Sequence, residues 1–407
     1  MTKRIAAIAL IFVLTSIAWA ILGATILVRT YKAGPVLGGK VASTWGAPHE
    51  QGPPSATFSE KVAKVVETVE DGRKVSRTQE ESVVTPLPLE RSLVKVAIDL
   101  EPRRKGLLWY STYAVSFEGE YTFRNVDARE RRVELRLPLP TPQAVYDGLS
   151  LSLDGAPLEP DLGKAAATAS ANVAAGAAAT LKVAYRSQGL DSWKYRLGSE
   201  VARVRDFRLE MATNFRDVDF PDNTLSPTSR RDTAGGAEMA WSYANLVSGY
   251  EIGMTMPEKL QPGPLAGRIS FFAPVSLLFF FFLMFVLTTL RRIELHPMNY
   301  FFLAAAFFSF HLLLAYLVDH VSVHAAFATA SAVSVFLVVS YLRLVIGMRF
   351  AAVEAGLTQV LYLVLFSYAF FFRGYTGLTL TIGSILTLFV VMQATGRIRW
   401  SERFGER

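Results

Sequence analysis

Six apolar stretches, one at the N-terminus and five in the last third, constrain this chain more than any other feature. A helix rises about 1.5 Å per residue, so crossing a hydrocarbon core of about 30 Å takes roughly 20 apolar residues. Ile5 to Val28 meets that length without a charge. Ile269 to Leu290, Met298 to Val318, Val321 to Val345, Phe350 to Phe372 and Thr376 to Thr395 also qualify. The expected fold class is a polytopic α-helical membrane protein with six transmembrane helices and a large domain inserted between helices 1 and 2. Ala18-Trp19-Ala20 has the small-residue spacing of a signal-peptidase site. The apolar run continues to Val28, longer than a signal h-region, so the stretch reads as an uncleaved anchor.

Charge bias predicts the orientation. Lys3, Arg4, Arg291, Arg292, Arg343, Arg349, Arg397, Arg399, Arg403 and Arg407 fall on one side if six helices alternate, while the opposite short loops carry only Arg373. Both termini are expected in the cytoplasm and the segment from Lys32 to Gly267 outside it. The net charge of +7 draws on those arginines and is not read as a nucleic-acid footprint. With no cysteine, the chain has no disulfide, thiolate metal site or cysteine nucleophile. A large external domain without disulfides leans towards a bacterial envelope.

The expected organisation is a cytoplasmic start (1–4), an anchor (5–28), a Pro/Gly-rich external segment with a few strands (29–93), a β-sandwich region (94–264), a five-helix bundle (265–396) and a basic tail (397–407). Pro48, Pro53, Pro54, Pro86 and Pro88 punctuate the first external segment, leaving room for one or two strands such as Lys61 to Val69. From about Val94 apolar and polar residues alternate in short runs, as in Tyr113 to Phe117 and Arg132 to Leu137, with turn signals such as Asp154-Gly155. That period-two pattern predicts an antiparallel sandwich, single or double. The Ala-rich stretch Ala165 to Ala179 is expected as a loop and strand start, with a helix as the alternative.

Few residues offer chemistry. His49 is the only histidine of the external region and lies in the Pro/Gly-rich segment. Asp217, Asp219 and Asp222 have oxygen ligands to offer calcium, but a solvated turn beside Pro221 explains them as well. A charged or titratable group within a span is a functional suspect by default. His311 lies about 20 Å along its helix and Glu354 about 6 Å from the same face, so a direct proton relay between them is not expected. Glu354 is expected to pair with Arg343 or Arg349 at the rim. Asp319, His320 and His324 gather at an external loop; two histidines and a carboxylate suit zinc, while polar residues at helix ends are the plainer reading. Small residues in the fourth and sixth spans indicate close helix packing.

Arg291-Arg292-Ile293-Glu294-Leu295-His296-Pro297-Met298-Asn299-Tyr300 is followed by Phe310-His311-Leu312-Leu313-Leu314-Ala315-Tyr316, then Asp319-His320, Ser340-Tyr341-Leu342-Arg343 and Thr395-Gly396-Arg397-Ile398-Arg399-Trp400. In order, spacing and residue type this resembles the CreD-like family of bacterial inner-membrane proteins, over roughly residues 265 to 400. The resemblance implies a link to envelope integrity and stress tolerance, and supplies no catalytic residues to carry over. The physical reading assigns His296-Pro297 to the start of the third span, Asn299 and Tyr300 to the interface, and Asp319 and His320 to docking the external domain on the bundle.

The expected function is that of a non-enzymatic envelope protein without cofactors, embedded in the lipid bilayer of the inner membrane. Its external sandwich would bind an envelope protein, another envelope component or a second copy of the chain, and no nucleic acid. The alternative is a small-solute or proton-coupled transporter, or an intramembrane enzyme, using His311, Glu354 or the His320/His324 pair.

Overall fold

The computed structural model describes residues 2–70, 73–105, 108–142, 144–197, 202–372 and 374–396. Arg373 and the tail arginines lie outside these. The chain divides into two compact units: Met1–Val36 with Gly106–Leu108 and Leu260–Arg407, and Leu37–Lys105 with Trp109–Lys259.

Six helices among the described residues are long and apolar enough to cross a membrane. They are α1 (Thr2–Trp45), α2 (Pro262–Arg291), α3 (Pro297–Leu317), α4 (Val323–Val345), α5 (Phe350–Phe371) and α6 (Thr376–Thr395). Helix α1 runs well past Val28, because hydropathy marks the part of a helix that lipid demands and not the helix end. Gly46 closes it at φ +137°, where a side chain would collide with the Gln188 carbonyl. Proline begins α2 and α3, where its missing N–H costs nothing. Helix α5 is irregular, with π-helical turns at Phe350–Ala355 and Val360–Leu365. Trp19, Ile269, Leu277, Phe280, Tyr300, Phe307, Phe310 and Tyr362 belong to one buried cluster. Tyr300, expected at the interface, is instead fully enclosed there. Only Thr387 and Val391 of α6 are buried, so this helix stands at the margin of its unit.

The second unit is built of strands. Its largest sheet has eight, in the order β10 (Ala156–Leu158), β9 (Tyr146–Leu153), β13 (Ala178–Leu190), β7 (Thr112–Arg124), β4 (Leu89–Leu100), β15 (Ala202–Thr213), β17 (Ala237–Ser248) and β16 (Ser229–Asp232). A five-stranded sheet runs β11 (Asp161–Leu162), β12 (Ala166–Val173), β8 (Arg131–Pro138), β2 (Ser55–Glu70) and β3 (Arg73–Pro86). Smaller sheets join β1 (His49–Gln51), β14 (Ser192–Tyr195) and β18 (Ile252–Thr255), and β5 (Arg103–Lys105) with β6 (Leu108–Tyr110). Inward residues of both large sheets, among them Val96, Phe117, Leu135, Leu181 and Leu209, enter one core. Asp154 and Gly155, both at positive φ, make the two-residue turn between β9 and β10.

Most pairings are antiparallel, as the alternation predicts, but β4 runs parallel to β15 and β1 parallel to β14. Side-chain alternation is the same for both directions, so pattern alone does not separate them. The Ala-rich stretch forms β12 before the Gly176 turn leads into β13. Its backbone is satisfied by the ladder to β8, and small side chains suffice because Ala167 and Val173 face the core. The Pro/Gly-rich segment is likewise not separate from the sheets. Strand β2 pairs with β8 at Ser55 to Thr57, and Pro53, Pro54, Pro86 and Pro88 sit at strand ends, where no ladder donor is lost.

Candidate functional site

On the outward face of the eight-stranded sheet, alternation turns Ser116, Glu118 and Glu120 of β7, Lys95 and Ala97 of β4, and Arg208, Glu210 and Ala212 of β15 away from the core. Register aligns them in rows across the strands. One row runs Ala184, Glu118, Lys95, Glu210 and Ala240; the next brings Ser116, Ala97, Ala212 and Glu238 into line. Small residues in the second row leave a floor between long charged neighbours. The result is a trough of about 620 Å³, walled by Lys95, Glu118, Arg208, Glu210, Arg231 and Glu238. A second hollow of about 390 Å³ shares Lys95 and Glu118 and continues towards Ser150, Ser152 and Lys182. Its charges are interleaved: Lys182 meets Glu120 at 2.9 Å, Arg208 meets Glu210 at 2.6 Å and Arg231 meets Glu238 at 2.5 Å. Five of the six are exposed and Glu210 is half-buried, so each pair adds little stability and is free to exchange partners. Alternation was legible in the sequence; the trough was not, because it needs the register of β4 against β15.

Behind this face His49 is buried in β1, edge-on to Tyr113 at 5.7 Å and 3.5 Å from the Ser187 hydroxyl. Burial pulls its pKa down to about 4, against the partly opposing effect of the Gln188 backbone. It is a core histidine. Asp217, Asp219 and Asp222 are exposed, and no group of three or more metal-ligating side chains gathers among the described residues.

In the helical unit the expected polar residues are placed apart. His296 caps α3, its Nδ1 accepting from the Met298 amide at 3.2 Å. His311 is fully buried; its Nδ1 lies 3.2 Å from the Phe307 carbonyl, which can only accept, so Nδ1 carries the proton. Trp19 stands edge-on to the His311 ring at 5.5 Å. Asp319 accepts from Arg29 of α1 at 3.2 Å. His320 and His324 are both exposed, and His324 lies 5.1 Å from the Phe371 ring. Glu354 pairs with Arg291 at 2.5 Å and not with Arg343 or Arg349, because α2 ends beside the start of α5. Arg343 is exposed.

A buried polar link went unread in the sequence. Gln359 donates to the Ser334 hydroxyl at 2.8 Å, and Ser334 donates to the Ala306 carbonyl at 2.6 Å, joining α5, α4 and α3. Tyr362 donates to Thr387 at 2.8 Å, fastening α6. A glutamine inside an apolar run was the available signal for the first of these. Two hollows beside the helices, of about 300 and 520 Å³, are lined by neither His311 nor Glu354.

A family model described as inner membrane protein CreD matches residues 1–401. The chain belongs to the CreD family. Six apolar helices and a large strand-built unit in this CreD family member accord with a multi-pass inner-membrane protein. Comparison with curated proteins gives no match. Among solved structures, this CreD family member is similar in part to a Legionella pneumophila protein provisionally described as nutrient binding. Identity there is 10%, the TM-score is 0.37, and the match covers 57% of this chain and 76% of that one. An M1 zinc metallopeptidase from Deinococcus radiodurans matches at 8% identity and TM-score 0.29, over 42% of each chain. Likenesses this distant carry no functional argument.

Proposed function

We propose that this CreD family member is a non-enzymatic inner-membrane protein contributing to envelope integrity or stress tolerance. Its strand-built unit is a β-sandwich held on the periplasmic side, and it binds an envelope protein or another envelope component. Both termini lie in the cytoplasm, following the arginine bias of the short loops. The observation that carries the binding role is the charged trough across the eight-stranded sheet, with its floor of small residues and exchangeable ion pairs. The polar side chains of the helices support this by default: Glu354, Asp319 and Gln359 are engaged with neighbouring helices.

In-cell photocrosslinking tests the reading. A photoreactive residue replacing Ser116 or Ala212 is expected to give one discrete adduct, weakened several-fold by Lys95→Glu with Arg208→Glu. Adducts of equal yield from the exposed edge residue Leu162, or none from the trough, would sink it. The cysteine-free chain also allows single-cysteine labelling. Ser150→Cys is expected to react with an impermeant maleimide from the periplasm and Glu294→Cys to stay protected; the reverse pattern inverts the topology.

A further inference from the structure

Helices α1 and α2 run antiparallel, and their spacing is written in their small residues. At one end Gly23 faces the Phe271 ring, Gly267 faces Leu27 and Gly263 faces the Thr30 hydroxyl. A Cβ at any of the three would come within 2.9 Å of its neighbour, so the backbones approach as closely as glycine allows. Towards the chain N-terminus no glycine continues this seam. There α2 presents Leu278, Phe281, Phe282 and Phe285 to Ile5, Ile8, Ala9 and Phe12 of α1, and the helices part around a hollow of about 300 Å³. Every residue lining it is apolar.

The hollow lies within the membrane-crossing part of both helices, where the available apolar guest is a lipid chain. Arg4 directly precedes Ile5, which lines the hollow. The guanidinium of Arg4 lies beside the Tyr300 phenol, and its Nε is buried with no hydrogen-bond partner among the described residues. Among the described residues no carboxylate forms an ion pair with Arg4, whereas Arg291, close by in sequence to the other wall, is already bound to Glu354. A cation at the rim of a hydrocarbon-lined slot matches the two ends of an anionic phospholipid, and a guanidinium suits a phosphodiester by charge and by its planar donor fork.

We propose that this hollow holds one acyl chain of an anionic phospholipid from the leaflet nearest the chain N-terminus, with its phosphate bound by Arg4. The lipid then fills the gap that Ala9 leaves between α1 and α2 and fixes the end of α1 that the glycine seam does not reach.

Native mass spectrometry of the full chain in a mild non-ionic detergent is the test. The probes are phosphatidylglycerol and phosphatidylethanolamine with matched acyl chains, offered at equal concentration. One bound phosphatidylglycerol is expected, favoured about fivefold or more over phosphatidylethanolamine. Ala9→Trp, which fills the slot, is expected to lower both adducts at least fivefold; if it does not fold, Ala9→Leu in the same assay decides. Arg4→Gln should leave total lipid bound but erase the headgroup preference, and Arg4→Lys should restore most of it. Unchanged adducts in a folded Ala9 variant overturn the slot. An unchanged preference in Arg4→Gln, or equal binding of both lipids by the native protein, overturns the headgroup assignment. A lipid-free dimer in place of the adduct would hand the hollow to a second copy and overturn the whole proposal.

Discussion

At the scale of single residues, His49 is the most exacting position in the strand-built unit. Its imidazole is buried neutral, with a pKa held down to about 4 against an ordinary 6.5. Below pH 6.5 the unfolded chain takes up a proton that the folded one refuses, so stability falls as pH drops from about 6.5 to about 4. The full difference amounts to roughly 3 kcal/mol. Urea unfolding of the native protein across that window should show the decline, and His49→Gln should flatten it; parallel pH profiles for the two would count against the assignment. Gly119 is constrained differently. A Cβ there would stand 2.5 Å from the ring of Tyr121, which is fully buried and meets the Tyr195 hydroxyl at 3.2 Å. Gly119→Ala is expected to cost about 1–3 kcal/mol, as overpacking does, and to lower the unfolding midpoint accordingly. From sequence His49 looked like part of a Pro/Gly-rich segment without fixed surroundings. Its enclosure depends on β1 finding β14 more than a hundred residues later, which no local pattern encodes.

Among elements, α5 departs most from regularity. Its π-helical turns flank Gly356–Gln359, the stretch that carries Gln359 to Ser334. An interhelical hydrogen bond between side chains in lipid is worth about 0.6 kcal/mol on average and up to about 1.7. A double-mutant cycle with Gln359→Leu and Ser334→Ala, read by unfolding in mixed micelles, is expected to give a coupling in that range. Zero coupling would mean that the contact is incidental. The six spans were legible because about 20 apolar residues in a row have few other uses. Helix boundaries were less so, as α1 shows by running to Trp45. Glu354 was expected beside Arg343 or Arg349, nearer in sequence, yet its partner Arg291 comes from a helix three elements earlier. Loop proximity guided the expectation, whereas helix packing decides the partner.

For the whole molecule, each unit has its own core, with aromatic and aliphatic residues sufficient for a separate cooperative transition. Calorimetry in detergent is therefore expected to resolve two transitions. Only one should move to lower temperature on acidification from pH 7 to 5, because His49 belongs to the strand-built unit. A single transition shifting as one would show the cores to be coupled. Alternating runs announced the strands and their core faces, and Asp154-Gly155 announced a turn. The parallel contact of β4 with β15 was beyond reach, since its residues are far apart in sequence and carry no mark of direction.

That same parallel contact governs how the protein is made. Strand β4 ends at Leu100, and its partner β15 is not finished until Thr213. At synthesis rates of about 5–20 residues per second, one edge of β4 waits roughly ten seconds for its neighbour. Strand β1 waits longer still, for β14 and then for β18 ending at Thr255, just before α2 begins at Pro262. The sheets therefore close only as the second membrane helix is being delivered. Until then the growing chain must keep a half-built, hydrogen-bond-hungry β edge from meeting another one.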